Sequence, residues 1–103
     1  MKEKVVVLIA IVALTAAGLF AADGAAVYKA KCASCHGPDG AGQTAMGKAM
    51  KLRDLGSAEV QKQSDKELVT VTADGKGKMP AYKAKLSADE INAVVAFIRT
   101  MKK

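Results

Sequence analysis

Cys32-Ala33-Ser34-Cys35-His36 sets two thiols three positions apart, with the chain's single imidazole directly behind the second. C-x-x-C-H is the pattern of covalent haem c attachment. Two intervening residues on a helical turn let both sulfurs reach the two vinyl groups of one haem, and the adjoining histidine then falls under the iron as an axial ligand. One structural disulfide is the default for two cysteines in an exported domain. A thioredoxin-like dithiol belongs in a βαβ setting, and no strand alternation appears here. Structural zinc needs four ligands, and no further Cys or His occurs anywhere in the chain. The spacing favours haem c over all three.

His36 is the only histidine, so a second imidazole from the same chain is excluded. Methionine, lysine or an open position remain for the other face of the iron. Of the five methionines, Met1 leaves with the leader, and Met101 continues the apolar stripe of the last helix. Met46 and Met50, four apart, share a helical face close in sequence to His36, and their expected work is packing. Met79 differs: it stands in Asp74-Gly75-Lys76-Gly77-Lys78-Met79-Pro80-Ala81-Tyr82, a glycine-rich loop locked by the proline. Enough chain separates it from His36 to wrap to the distal face. Met79 is therefore the expected ligand, with lysine or an open site as the alternatives.

Helices must position these groups. A short helix of two to three turns carries Tyr28 into Cys32. Ser87-Ala88-Asp89-Glu90 is a capping box that opens the last helix, with Leu86 and Ile91 as a hydrophobic staple. Its stripe runs Ile91, Val94, Val95, Ile98 and Met101, with Phe97 at the edge. Ser64-Asp65-Lys66-Glu67 is a second capping box, so the β-branched run from Val69 to Thr72 reads as helix rather than strand. Ser57 to Gln63 can form a further short turn, and Gly37 to Gly47, with Pro38, describes a loop.

The chain has 103 residues, room for one small domain. Residues 1–22 hold 17 of its apolar residues and pair a basic start with an uncharged run from Val5 to Ala22. That is a secretory signal peptide, or in a second reading an uncleaved membrane anchor. The working domain is then 23–103, exported, with 14 Lys plus Arg against 9 acidic residues, +5. That balance suits acidic partners. Nucleic acid does not fit, because export and lysines without interleaved aromatics argue against it. Phe20, Tyr28, Tyr82 and Phe97 are the only aromatics, too few for a self-sufficient core, so a haem is expected to fill it.

C-x-x-C-H near the start, Met-Pro-Ala-Tyr late, and the Glu90-Ile91…Val94-Val95-Ala96-Phe97-Ile98 helix last resemble the class I monohaem cytochromes c, most closely their c6-like bacterial branch. The resemblance covers roughly 23 to 101. It implies an all-α fold of three to four short helices wrapped around one covalent haem c. Cys32 and Cys35 would carry the thioether bonds, with His36 and Met79 as the iron ligands. Gly24, Tyr28, Val94 and Phe97 would pair the first and last helices. Many members use a proline carbonyl beyond the histidine to accept its ring N–H; here Pro38 or another loop carbonyl must serve. The function implied is single-electron carriage, not catalysis, by a monomer that docks acidic redox proteins or membrane redox complexes. Lys29, Lys31, Lys76, Lys78, Lys83 and Lys85 would ring the haem edge. The rivals are a haem sensor or peroxidase whose methionine detaches, and a membrane-tethered electron subunit in which residues 5–22 are kept.

Overall fold

Asp23 starts the first helix because its carboxylate accepts from the Ala25 and Ala26 amides at 3.1 and 3.2 Å, satisfying donors that the helix itself cannot. The computed structural model describes residues 22–103, so the leader expected over 1–22 lies, apart from Ala22, outside the described residues. Helix α1 spans Gly24–Lys31, and α2, Ala33–His36, follows one residue later. Three more helices, α3 (Ala45–Ala49), α4 (Ala58–Gln61) and α5 (Asp65–Asp74), lead to α6 (Ala88–Arg99). The remaining pairing is an isolated bridge between Lys76 and Met79. The described chain is thus all-α, with three helices of eight or more residues and three single turns. No helix among the described residues is long and apolar enough to cross a membrane.

Helices α1 and α6 cross closely at glycine. A Cβ on Gly24 would stand 2.1 Å from the Ala93 carbonyl oxygen, so the backbones meet where no side chain fits. One turn on, Tyr28 (1% exposed) and Val94 (0%) are fully buried, and Tyr28 meets Phe97 edge-on with ring centres 5.3 Å apart. This is the pairing the resemblance implied. Ile91, Val94, Val95 and Ile98 are buried along α6, while Met101 is half-buried with its sulfur against Gly40. Leu86, ahead of the cap, is buried too.

Both capping boxes form. Ser64 and Ser87 accept from the amides of Glu67 and Glu90, whose carboxylates return to the serine amides. Thus the run after Ser64 is helical, and Val60 of α4, Leu68 of α5 and Val95 of α6 form one buried cluster. Arg99 ties the two helices together: its guanidinium reaches Asp65, the Gln61 carbonyl at 2.8 Å and the Gln63 carbonyl at 2.6 Å.

The loop expected from Gly37 to Gly47 ends earlier. Thr44 caps a helix that contains Gly47, accepting from the Gly47 amide at 2.8 Å while its hydroxyl donates to the Cys35 carbonyl. A Cβ on Gly47 would meet the carbonyl oxygens of Gly42 and Cys35 at 2.4 and 2.8 Å, so glycine serves here as the residue small enough for helix α3 to sit on the Cys35 segment. The helix closes with Leu52 N–H on the Gly47 carbonyl and Lys51 N–H on that of Lys48, a Schellman pattern. Its left-handed position is held by Lys51 (φ 54°) rather than glycine.

Candidate haem site

The short helix α2 lifts Cys32, Cys35 and His36 to the edge of a cleft, and two flanking bonds fix it there. Tyr28 donates its hydroxyl to the Gly37 carbonyl at 2.6 Å, and Thr44 holds the Cys35 carbonyl at 2.5 Å. Burial pushes the Tyr28 phenol up to about 12, helped by charge on Cys32 and Asp39, so it stays a donor. On the same lining, Met79 stands in a loop pinned at its base. The Lys76 and Met79 amides exchange bonds with each other's carbonyls at 3.1 and 3.0 Å. Gly75 (φ 78°) lies so near that a Cβ would come 2.6 Å from the Met79 carbonyl oxygen.

Two adjoining cavities occupy the cleft. One, of about 300 Å³, is walled by Leu55, Val60, Leu68, Val71, Val94 and Ile98 from α4 to α6 and the segment before them. The other, of about 380 Å³, is lined by all four residues singled out from sequence, Cys32, Cys35, His36 and Met79, with Met50, Pro80 and Tyr82. Cys32, His36, Leu52, Lys76 and Met79 border both, so the two are lobes of one compartment that lies within the range for ligand pockets, ~300–1,000 Å³.

The donor set fits a covalently held haem. Both thiols are free and half-buried. Burial, and next the neighbouring Cys35, raises the Cys32 thiol above its ordinary value. Burial lowers His36, keeping its imidazole neutral, the form that binds a metal. Its Nδ1 is buried with no hydrogen-bond partner, a state that calls for an explanation in a folded chain. Neither Pro38 nor another loop carbonyl accepts from it. No group of three or more His, Cys, Asp or Glu among the described residues could hold a metal ion, which leaves the zinc reading without support.

Two sequence expectations change. Met46 does not pack: it is 52% exposed, because Gly47 rather than methionine faces the Cys35 segment. Met50 instead lines the second lobe. Of the six lysines expected around the opening, Lys31, Lys76 and Lys78 line it. Lys83 pairs with Asp74 at 3.5 Å, and the Lys85 ammonium sits 5.6 Å from the centre of the Tyr82 ring. Sequence reasoning missed Lys51 and Arg53, which border the first lobe, since nothing in a mixed charged stretch distinguishes them. It also missed the wall made by Leu68, Val71 and Thr72, although their i, i+3, i+4 spacing on α5 was a usable signal.

Known proteins resemble this arrangement. Residues 20–98 match the family described as cytochrome C oxidase, cbb3-type, subunit III. Cytochrome c6 of Microcystis aeruginosa is 38% identical over 76 residues, 74% of this chain and 90% of that protein. Cytochrome c-551 of Halorhodospira halochloris is 34% identical over 80 residues, 74% of this chain and 94% of the relative. A solved structure, the KustC0563 c-type cytochrome, superposes with a TM-score of 0.73 at 35% identity, covering 79% of this chain and 99% of that one.

Proposed function

Given that the chain belongs to the class I monohaem cytochromes c, in their cytochrome c6-like branch of electron carriers rather than enzymes, we propose that it is an exported one-electron shuttle with His36 and Met79 as its axial ligands. The observation that carries this reading is that Cys32, Cys35, His36 and Met79 line one cavity although 43 positions separate His36 from Met79. Haem c, one per chain, supplies a one-electron Fe(III)/Fe(II) couple.

The residues divide the remaining work. Cys32 and Cys35 hold the group by thioether bonds. His36, neutral through burial, offers an imidazole lone pair on one side. Met79 offers a soft thioether on the other, which favours the reduced state and raises the potential. Held in this way by His36 and Met79, the iron would keep no open position for a substrate. Leu55, Leu68, Val71 and Val94 give the first lobe an apolar wall.

The carrier's partners are redox proteins. Lys31, Lys76 and Lys78 at the opening suit partners with acidic surfaces, free or in membrane complexes. The basic, then uncharged leader supports export to the periplasm or an equivalent compartment.

The test is an optical spectrum of protein matured in a host that attaches haem c. A low-spin spectrum with a weak far-red methionine-to-iron band is expected, and Met79→Ala abolishes that band. A high-spin ferric spectrum that shifts with cyanide points to a sensor or peroxidase instead. Absence of covalent haem overturns the reading altogether.

A further inference from the structure

Tyr82 stands three residues past Met79 and lines the same lobe as Lys31, Cys32, Cys35 and Met79. Its hydroxyl donates to the Lys31 carbonyl at 3.0 Å, across 51 residues of sequence. Lys31 ends α1 and leads directly into Cys32. Its carbonyl belongs to the last turn, where no intrahelical donor is available, so the phenol supplies one.

We propose that the Tyr82 hydroxyl, bonded across the cleft to the Lys31 carbonyl, is a positioning group that holds the Met79 loop closed and thereby sets how often the distal side opens to a small ligand. The proposal rests on Met79 being the distal ligand.

The geometry separates two attachments of the loop. On one side, backbone bonds from Tyr82 N–H to the Thr72 carbonyl and from Lys83 N–H to the Ala73 carbonyl, both 3.1 Å, fasten it to α5. On the other, the Tyr82 phenol is, among the described residues, the one hydrogen bond that joins segment 75–86 to α1. The Lys85 ammonium lies over the ring and keeps it in place. Swinging the Tyr82 end of the loop away from α1 breaks the phenol bond, whereas the α5 bonds can remain as the hinge. An aromatic ring alone would cover the opening; only the hydroxyl ties it shut. Removing a neutral hydrogen bond of this kind raises the open population roughly 2- to 10-fold.

The experiment compares holoproteins of wild type, Tyr82→Phe and Ser87→Ala, the last losing the cap of α6 on an exposed helix end. Reduced protein is mixed with carbon monoxide, which binds only when the distal ligand has left. Tyr82→Phe is expected to bind about 2- to 10-fold faster and to lose the far-red band at a lower temperature. Ser87→Ala lowers the overall melting temperature but binds at the wild-type rate. Equal rates in Tyr82→Phe and wild type overturn the proposal, as does the same acceleration in Ser87→Ala, because loss of overall stability then explains it. A wild type with no far-red band and immediate binding removes the Met79 reading and this proposal with it.

Discussion

Asp54 and Lys103 close the chain's end onto its middle. Their side chains form an ion pair, the Lys103 amide donates to the Gly56 carbonyl at 3.0 Å, and the Asp54 carboxylate also accepts from the Gly56 amide. The Lys103 hydrogen bond, then the Gly56 amide, hold Asp54 below its ordinary value. The same bond raises Lys103. A carboxyl depressed on folding contributes stability above its unfolded value, and that contribution disappears as pH falls through the folded one. The lysine contribution is present below its own unfolded value and disappears as pH rises past the raised one. The pair therefore acts between about pH 4 and about pH 10. In thermal melts, Asp54→Asn should lower the midpoint at neutral pH and match wild type in acid below the carboxylate range. A pH-independent difference would show that the ion pair is not its cause.

The helices differ in what holds them. Both capping boxes could be read from serine and glutamate three positions apart, because that motif is local chemistry. The clamp made by Arg99 could not. Placed last in α6, it reads as a cation suited to the helix dipole, yet its side chain is only 28% exposed and serves two carbonyls ahead of α5 as well as Asp65. Arg99→Ala leaves the Gln61 and Gln63 carbonyls without this donor. It should cost about 2 kcal/mol, seen as a lower urea midpoint with an unchanged slope. An effect below a few tenths would reduce Arg99 to an ordinary helix-end charge. Helix α3 is the opposite case. Glycines and Pro38 suggested loop throughout, but Thr44 caps a helix through Gly47 because that glycine lets two backbones touch.

At the scale of the whole molecule, charge and cavity act together. Residues 23–103 carry +5, with Lys31, Lys76 and Lys78 on the cavity lining, a balance that suits an acidic partner under the proposed function, and salt screens such attraction over about 10 Å at 0.1 M. The bimolecular rate of reduction by an acidic redox protein should fall severalfold between 10 and 200 mM salt, measured by stopped flow. Lys78→Glu should reduce that dependence, whereas Lys83→Glu, outside the lining and beside Asp74, should change it less. A rate indifferent to salt would remove the docking role of these lysines.

Sequence alone determined the attachment chemistry, since C-x-x-C-H depends on spacing within one helical turn, and the principal helices, since caps and apolar stripes are local. It singled out Met79 by the glycines and proline around it. Tertiary structure decided which chain segments close on which. Only folding brings Met79 and His36 to one cavity, sets Tyr82 against Lys31, places Lys51 and Arg53 at its edge, and turns Met46 outward. Those outcomes rest on contacts between residues tens of positions apart. They are fixed by the crossing of α1 over α6 at Gly24 and by α3 settling on Gly47, and no local pattern encodes either distance.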